Sequence, residues 1–248
     1  SLLLFIAFFS TSVLGHAYVQ NVDIAGKNYT GWLPWTMPYT EPVGKSIVRN
    51  VPGEYLTGKC GGYGPILDIT SADLACNQGG EKAAALIANV NAGDSVKLTW
   101  NTWPADHVGP VTVYMANCGG NCMTFNPTKG NVWFKIDEYS INSQGLWGTL
   151  KLIQQGDSWT VTIPPTIKAG QYLLRAELLA LHNAGQPQFY PSCSQLNIAS
   201  SGSSVPTSSD LVAIPGVYAN AGKAINGDVW DNGDAAYPSS WPVAGPAV

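Results

Sequence analysis

The chain reads as an all-β protein, an immunoglobulin/fibronectin III-like β-sandwich with long loops and little helix. Three observations predict this. Short segments rich in β-branched and aromatic residues recur between turn signals. The chain is punctuated by 27 glycines and 17 prolines. Charged residues make up only 11%, too few to face a set of amphipathic helices toward water.

Residues 17–24, 95–100 and 111–116 read as strands, followed by 132–136, 159–163, 171–181 and 195–199. Segments of this length and number suit two packed antiparallel sheets. Residues 82–90 stay open: their alanines fit a helix, while Asn89 and Asn91 bracket a piece that could equally be a loop or an edge strand. Long connections at 28–64, 117–130 and from 199 onward are rich in Pro, Gly and Ser. Loops of that length are usually functional or disordered. Residues 199–209 have linker composition, and 211–218 resume an apolar pattern that could pack back on the sandwich. Asn28-Tyr29-Thr30 is a glycosylation sequon, whereas Asn126 is disqualified by Pro127.

At the start, residues 2–9 form an apolar run followed by Ser10, Thr11, Ser12 and Gly15, the pattern of a secretory signal peptide over residues 1–15. It is too short to span a bilayer. Small-residue rules allow cleavage after Gly15 and also after Ala17. Cleavage after Gly15 leaves residues 16–248, a length that one sandwich domain with long loops reaches. The expected location is extracellular. A formal charge of −4 without a cluster of Lys or Arg gives no footprint for nucleic acid or an acidic membrane, so a neutral partner fits better. Five cysteines in an exported chain suggest two disulfides and one cysteine left over, and spacing alone does not fix the pairing. Cys118 and Cys122 could staple one short loop.

Familiar catalytic signatures are absent: there is no HExxH, and Gly44-Lys45-Ser46 has Tyr39 where a phosphate loop needs a glycine. Glu177, Asp157, Asp137 and Glu138 could supply a hydrolytic pair only if two of them faced each other at the right separation. Solvated loop or strand-face charge is the commoner role for such residues. The three histidines, His16, His107 and His182, are more informative. If cleavage exposes His16, one residue offers both an imidazole nitrogen and an α-amine, whose pKa of about 7.7–8.0 leaves it available as a neutral ligand. His107 would add a third nitrogen, a tetragonal set that favours Cu(II), and a tyrosine oxygen could cap one axis. A lone histidine in a β protein is nonetheless more often a hydrogen-bonded core or surface residue than a ligand.

His16-Ala17-Tyr18-Val19, Asp106-His107-Val108-Gly109-Pro110-Val111, the run from Leu174-Arg175-Ala176-Glu177 to Leu181-His182, and Gln188-Phe189-Tyr190-Pro191-Ser192-Cys193 together resemble auxiliary activity family 9, the cellulose-active lytic polysaccharide monooxygenases. Val132-Trp133-Phe134-Lys135-Ile136-Asp137-Glu138 and the stretch from Pro164 to Leu174 are similar to strand motifs of the same family. Each motif alone is weak, and their order is specific.

The resemblance implies one copper ion held by a histidine brace: His16 by amine and ring, His107 by its imidazole, Tyr190 as the axial oxygen. His182 and Gln188 match positions that hydrogen-bond oxygen species beside the metal and pass protons, with the interval from His182 to Tyr190 shorter than in many relatives. It further implies oxidative cleavage of cellulose at carbon 1 or carbon 4 with dioxygen or peroxide and an external electron donor, by a monomer. A flat crystalline substrate calls for an exposed aromatic face, for which Tyr39 and Tyr218 resemble family positions. Trp32, Trp35, Tyr237 and Trp241 are further loop aromatics, for which packing a minor core beneath the loops is the commoner role. The resemblance pairs Cys76 with Cys193 and Cys118 with Cys122, leaving Cys60. The competing class is a secreted, non-catalytic sandwich that binds copper or carbohydrate; a glycoside hydrolase would differ by surviving metal removal.

Overall fold

Val96, Leu98 and Trp100 are buried and alternate with more exposed neighbours along strand β4 (Ser95–Trp100), the period-two signature of a sheet with one covered face. The same face is continued by Val19, Val22 and Ile24 of β1 (Val19–Ile24) and by Trp159 and Val161 of β7 (Ser158–Thr162). The computed structural model describes residues 17–52, 63–230 and 237–248. Cys60 and His16 therefore lie outside the described residues.

With β2 (Lys27–Thr30), these strands make a four-stranded sheet in the order β2-β1-β4-β7. The second sheet combines β3 (Ala88–Asn91), β5 (Val111–Asn117), β6 (Trp133–Tyr139), β8 (Gly170–Ala180) and β9 (Gln188–Ala199) in the order β3-β9-β8-β5-β6. All pairings are antiparallel except that of β3 with β9. The helices among the described residues are short: α1 (Gly148–Gln154), α2 (Lys223–Asn226) and three single 3₁₀ turns. The predicted sandwich with little helix is the observed one.

The five-stranded sheet is covered on both faces. Leu174, Ala176, Leu178 and Ala180 of β8 point into the space between the sheets, while Leu173, Leu179 and Leu181 join a second apolar cluster on the far side. Trp133, Trp147, Phe189, Ile214 and Trp241 complete that outer cluster. Loops and the C-terminal segment form its roof, as expected if residues 211–218 pack back on the sandwich. Burying one large apolar side chain there is worth about 1.5–3 kcal/mol, so several such residues fasten the roof to the sheet.

Three elements escape the pattern reading. β2 lies inside the stretch read as loop, because its turn is built from Ala25 and Gly26, both at positive φ (49° and 84°), and alanine there does not announce a hairpin. Asp23 compensates by accepting the Gly26 N–H at 2.9 Å. Residues 82–90 form no helix and divide between the other two alternatives: 82–87 are loop, and Ala88–Asn91 is the edge strand, with Val90 paired to Ile198 and Ala88 to Leu196. Helix α1 has only seven residues, too few for a helical period to stand out. β9 also starts earlier than residue 195, at Gln188.

Candidate metal centre

One end of the sandwich gathers the loop before β5, the turn after β8 and the first residues of β9. Gln188 and Tyr190 are two residues apart on β9 and share its inner face. The Tyr190 hydroxyl donates to Gln188 Oε1 at 2.9 Å, which aligns the phenol. Tyr190 is 1% exposed, and burial pushes its phenol well up, so the group stays neutral across the physiological range.

His107 sits in the loop between β4 and β5, and the loop is fastened at several points. Trp103 Nε1 donates to the His107 carbonyl at 2.9 Å, Leu181 N–H donates to the Val108 carbonyl at 2.8 Å, and Gly109 N–H donates to Thr149 Oγ1 at 3.0 Å. Gly109 is required: a Cβ there would lie 1.8 Å from the Leu179 carbonyl oxygen, so any side chain would push the loop off β8. The His107 ring is buried, and its Nδ1 lies 2.8 Å from Asp106 Oδ1. A carboxylate only accepts, so Nδ1 carries the hydrogen and Nε2 keeps its lone pair. Burial works against ionising Asp106, but the hydrogen bond and charge of His107 outweigh it and hold the carboxyl below its usual range.

His182 stacks on His107 with ring centroids 3.9 Å apart. Burial, then the neighbouring His107, lowers the pKa of His182. Its Nδ1 is buried without a hydrogen-bond partner among the described residues. Trp103 presents an edge to both sides of the cluster, 5.9 Å from the His107 ring and 4.9 Å from that of Tyr190. Trp103 was not singled out by the sequence reading; its place after Thr102 in a loop carries no periodic signal. Ala17, bonded to His16, is buried and lines a cavity of about 20 Å³ together with Tyr18, Trp100 and Tyr190.

The donor set fits copper on two observations: a buried imidazole with Nε2 left free by the Asp106 contact, and a neutral phenol oxygen brought beside it through Trp103. Among the described residues no group of three or more histidine, cysteine, aspartate and glutamate side chains could hold a metal ion. The described histidines thus offer part of a nitrogen-rich site and no carboxylate cage.

Tyr218 is not on an exposed face. It is 3% exposed and lies in the outer cluster, where its hydroxyl reaches both Glu177 oxygens at 2.8 and 2.9 Å and accepts from Arg175 at 3.1 Å. The physical reason is strand parity: Arg175 and Glu177 project from the outer side of β8, and the returning tail must satisfy that buried ion pair. Tyr39 is 41% exposed, compatible with its expected place. Trp32 and Trp241 are buried as expected, but Trp35 is 46% exposed, a surface aromatic and not part of a minor core. It meets Tyr63 edge-on at 5.2 Å, and Tyr63 meets Tyr18 at 5.7 Å.

Three of the four carboxylates considered for hydrolysis are engaged elsewhere, while the Oδ1 of the fourth, Asp157, is buried without a hydrogen-bond partner among the described residues. Glu177 is buried against Arg175, Asp137 accepts the Trp159 indole N–H at 2.7 Å, and Glu138 pairs with Lys135. Disulfides join Cys76 to Cys193 and Cys118 to Cys122. Asn28 is exposed on β2.

Comparison with known proteins agrees with this geometry. The family model described as "Auxiliary Activity family 9 (formerly GH61)" matches residues 16–237. An AA9 family lytic polysaccharide monooxygenase A from Gloeophyllum trabeum is 39% identical over 246 residues, covering 95% of this chain and 72% of the relative. An AA9 family lytic polysaccharide monooxygenase B from Heterobasidion irregulare is 39% identical over 242 residues, covering 95% and 92%. The crystal structure of HiLPMO9B superposes with a TM-score of 0.82 at 37% identity over 94% of this chain and 99% of that one. A cellulose-active polysaccharide monooxygenase from M. thermophila superposes at 0.76 with 32% identity, covering 94% and 98%. The chain belongs to Auxiliary Activity family 9: it is a lytic polysaccharide monooxygenase, a copper-dependent oxidoreductase that acts on polysaccharide with an external reductant.

Proposed function

We propose that the mature protein begins at His16 and would hold one copper ion through the His16 amine and ring, His107 Nε2 and the Tyr190 oxygen. The observation that carries this reading is the His107–Asp106 contact, which leaves Nε2 as the ring's metal-facing nitrogen beside Tyr190. The substrate is β-1,4-glucan, cellulose first, in keeping with the cellulose-active relative of similar structure. The chain is a secreted monomer, a single catalytic domain from residue 16 to 248 after a leader over 1–15, with Asn28 open to glycosylation.

When bound, copper supplies the redox chemistry by which an external electron donor and dioxygen or peroxide hydroxylate carbon 1 or carbon 4 of the glucan. With dioxygen the balance is one C–H bond, one O₂, two electrons and two protons giving one C–OH and water. The hydroxylated carbon then expels the glycosidic oxygen by elimination, and the chain breaks.

This chain's residues position and protonate. Tyr190, held neutral by burial and aligned by Gln188, would offer its oxygen to the metal. His182 Nδ1, buried and without a partner among the described residues, is the atom placed to hold or give a proton beside His107. Trp103, buried, packs its ring against those of both His107 and Tyr190. Trp35 and Tyr39, exposed on the loop after β2, form the docking face for a flat polysaccharide, and Tyr218 supports the fold instead.

Mass spectrometry of products from cellulose, with copper and a reductant, tests the reading. Oxidised cello-oligosaccharides are expected, and they should vanish on His16→Ala with the cleavage site kept. Unoxidised sugars alone, or full activity under chelation, would identify a hydrolase. Copper binding without products would identify a non-catalytic binder. N-terminal sequencing of the secreted protein should begin at His16.

A further inference from the structure

We propose that Asp106 is a positioning residue for His107, whose carboxylate fixes the tautomer of the ring and makes its Nε2 a stronger donor toward copper. This rests on the reading of His107 as a copper ligand.

The geometry restricts what Asp106 can do. Its Oδ1 lies 2.8 Å from His107 Nδ1, and among the described residues it is the ring's hydrogen-bond partner. The other ring contacts are apolar or face to face: the edge of Trp103 at 5.9 Å and the stack on His182 at 3.9 Å. Neither of those selects which nitrogen carries the hydrogen. The Asp106 contact does, and it also locks the ring's rotation within the loop. The Asp106 side chain is 73% exposed while that of His107 is 3% exposed, so water reaches the carboxylate but not the ring it anchors. Its through-space charge is therefore screened. The hydrogen bond is not screened: an anionic acceptor on one imidazole nitrogen raises the basicity of the other, the pattern by which carboxylates behind ligating histidines tune metals. A more basic nitrogen favours the more highly charged Cu(II) over Cu(I), so Asp106 should hold the reduction potential down.

Two variants separate the parts of this role. In Asp106→Asn the amide oxygen can still accept from Nδ1, so the tautomer survives and the negative charge is lost. In Asp106→Ala both go. The matured, copper-loaded protein is compared with each by Cu(II) and Cu(I) affinity, midpoint potential and Cu(II) electron paramagnetic resonance, and thermal unfolding of the metal-free forms reports that each variant folds. The expectation for Asp106→Asn is about a tenfold loss of Cu(II) affinity with Cu(I) affinity unchanged, which as a one-electron potential is a rise of about 59 mV, with the resonance parameters retained. Asp106→Ala should lose more and change those parameters, because the ring can turn. Potentials and spectra identical to the parent in both variants would overturn the proposal. His107→Ala serves as the reference: if it leaves copper affinity and spectrum unchanged, the copper-site reading itself fails, and that result is distinguishable from a failure of Asp106 alone.

Discussion

The imidazoles of His107 and His182 stack with centroids 3.9 Å apart and planes 27° from parallel. They come from different loops and meet because β5 and β8 pair antiparallel, with Val111 opposite Leu178, so the residues before one strand lie beside those after the other. Two stacked imidazoles resist carrying charge together. Burial, and then His107, depress the His182 pKa, with Asp106 opposing. Above about 6.5, the ordinary imidazole value, folded and unfolded chains both hold His182 neutral; below it the unfolded chain takes up the proton first. Stability is therefore present above that value and is lost as pH falls through the folded pKa. Metal-free protein should show a melting temperature that declines below about pH 6.5, and His182→Gln should flatten the decline. An unchanged slope in the variant would remove His182 as its cause.

Copper should raise the melting temperature, since a ligand bound only by the folded state stabilises it in proportion to the logarithm of its free concentration over Kd. His107→Ala should abolish the rise. Affinity should weaken below about pH 6, where protons compete for the imidazoles and the α-amine. Calorimetric titration across pH 5–8 checks this, and a flat profile would contradict a nitrogen ligand set.

Trp35→Ala should weaken binding to insoluble cellulose about fivefold, the order of 1 kcal/mol expected for one exposed aromatic contact. The ring is 46% exposed, so unfolding should barely move. Unaltered binding would take Trp35 off the docking face.

Tyr218→Phe should behave oppositely. It leaves Glu177 short of a donor inside the outer cluster, a cost of about 1–3 kcal/mol in stability, while cellulose binding stays as it was. Glu177→Leu, which strands the Arg175 charge, should cost about 3–5 kcal/mol. Chemical denaturation measures both, and a loss of cellulose binding by folded Tyr218→Phe would return that residue to the substrate face.

The two disulfides should differ in worth. The Cys76–Cys193 bond closes a loop with a sequence separation of 117, and the Cys118–Cys122 bond one of only 4. On the chain-entropy account, removing the first costs about 4–5 kcal/mol and removing the second about 2. Paired Cys→Ser variants compared by denaturant titration test the order; equal losses would mean that loop closure does not set what each bond contributes.

Period-two patterning was readable wherever one sheet face is covered, as along Ser95–Trp100, and so the sandwich itself was legible. An ordered set of motifs singled out His107, His182 and Tyr190, and the fold brings these three to one end of the sandwich around Trp103. The hairpin at Ala25–Gly26 was not legible, because alanine in a left-handed turn looks like any other alanine. Nor was the parallel edge strand Ala88–Asn91, whose partner lies far along the chain.

The sequence by itself determined the residue types at one end of the sandwich and the strands that carry them. Only the tertiary structure decided which aromatics face water. Trp35 and Tyr218 both lie in Pro- and Gly-containing loops, and nothing local distinguishes them. Tyr218 is drawn inward because Arg175 and Glu177 face the outer side of a sheet that is roofed over, and a buried ion pair needs every donor the returning tail can bring. Burial is a property of what lies across the gap, and that neighbour is many residues away in the chain.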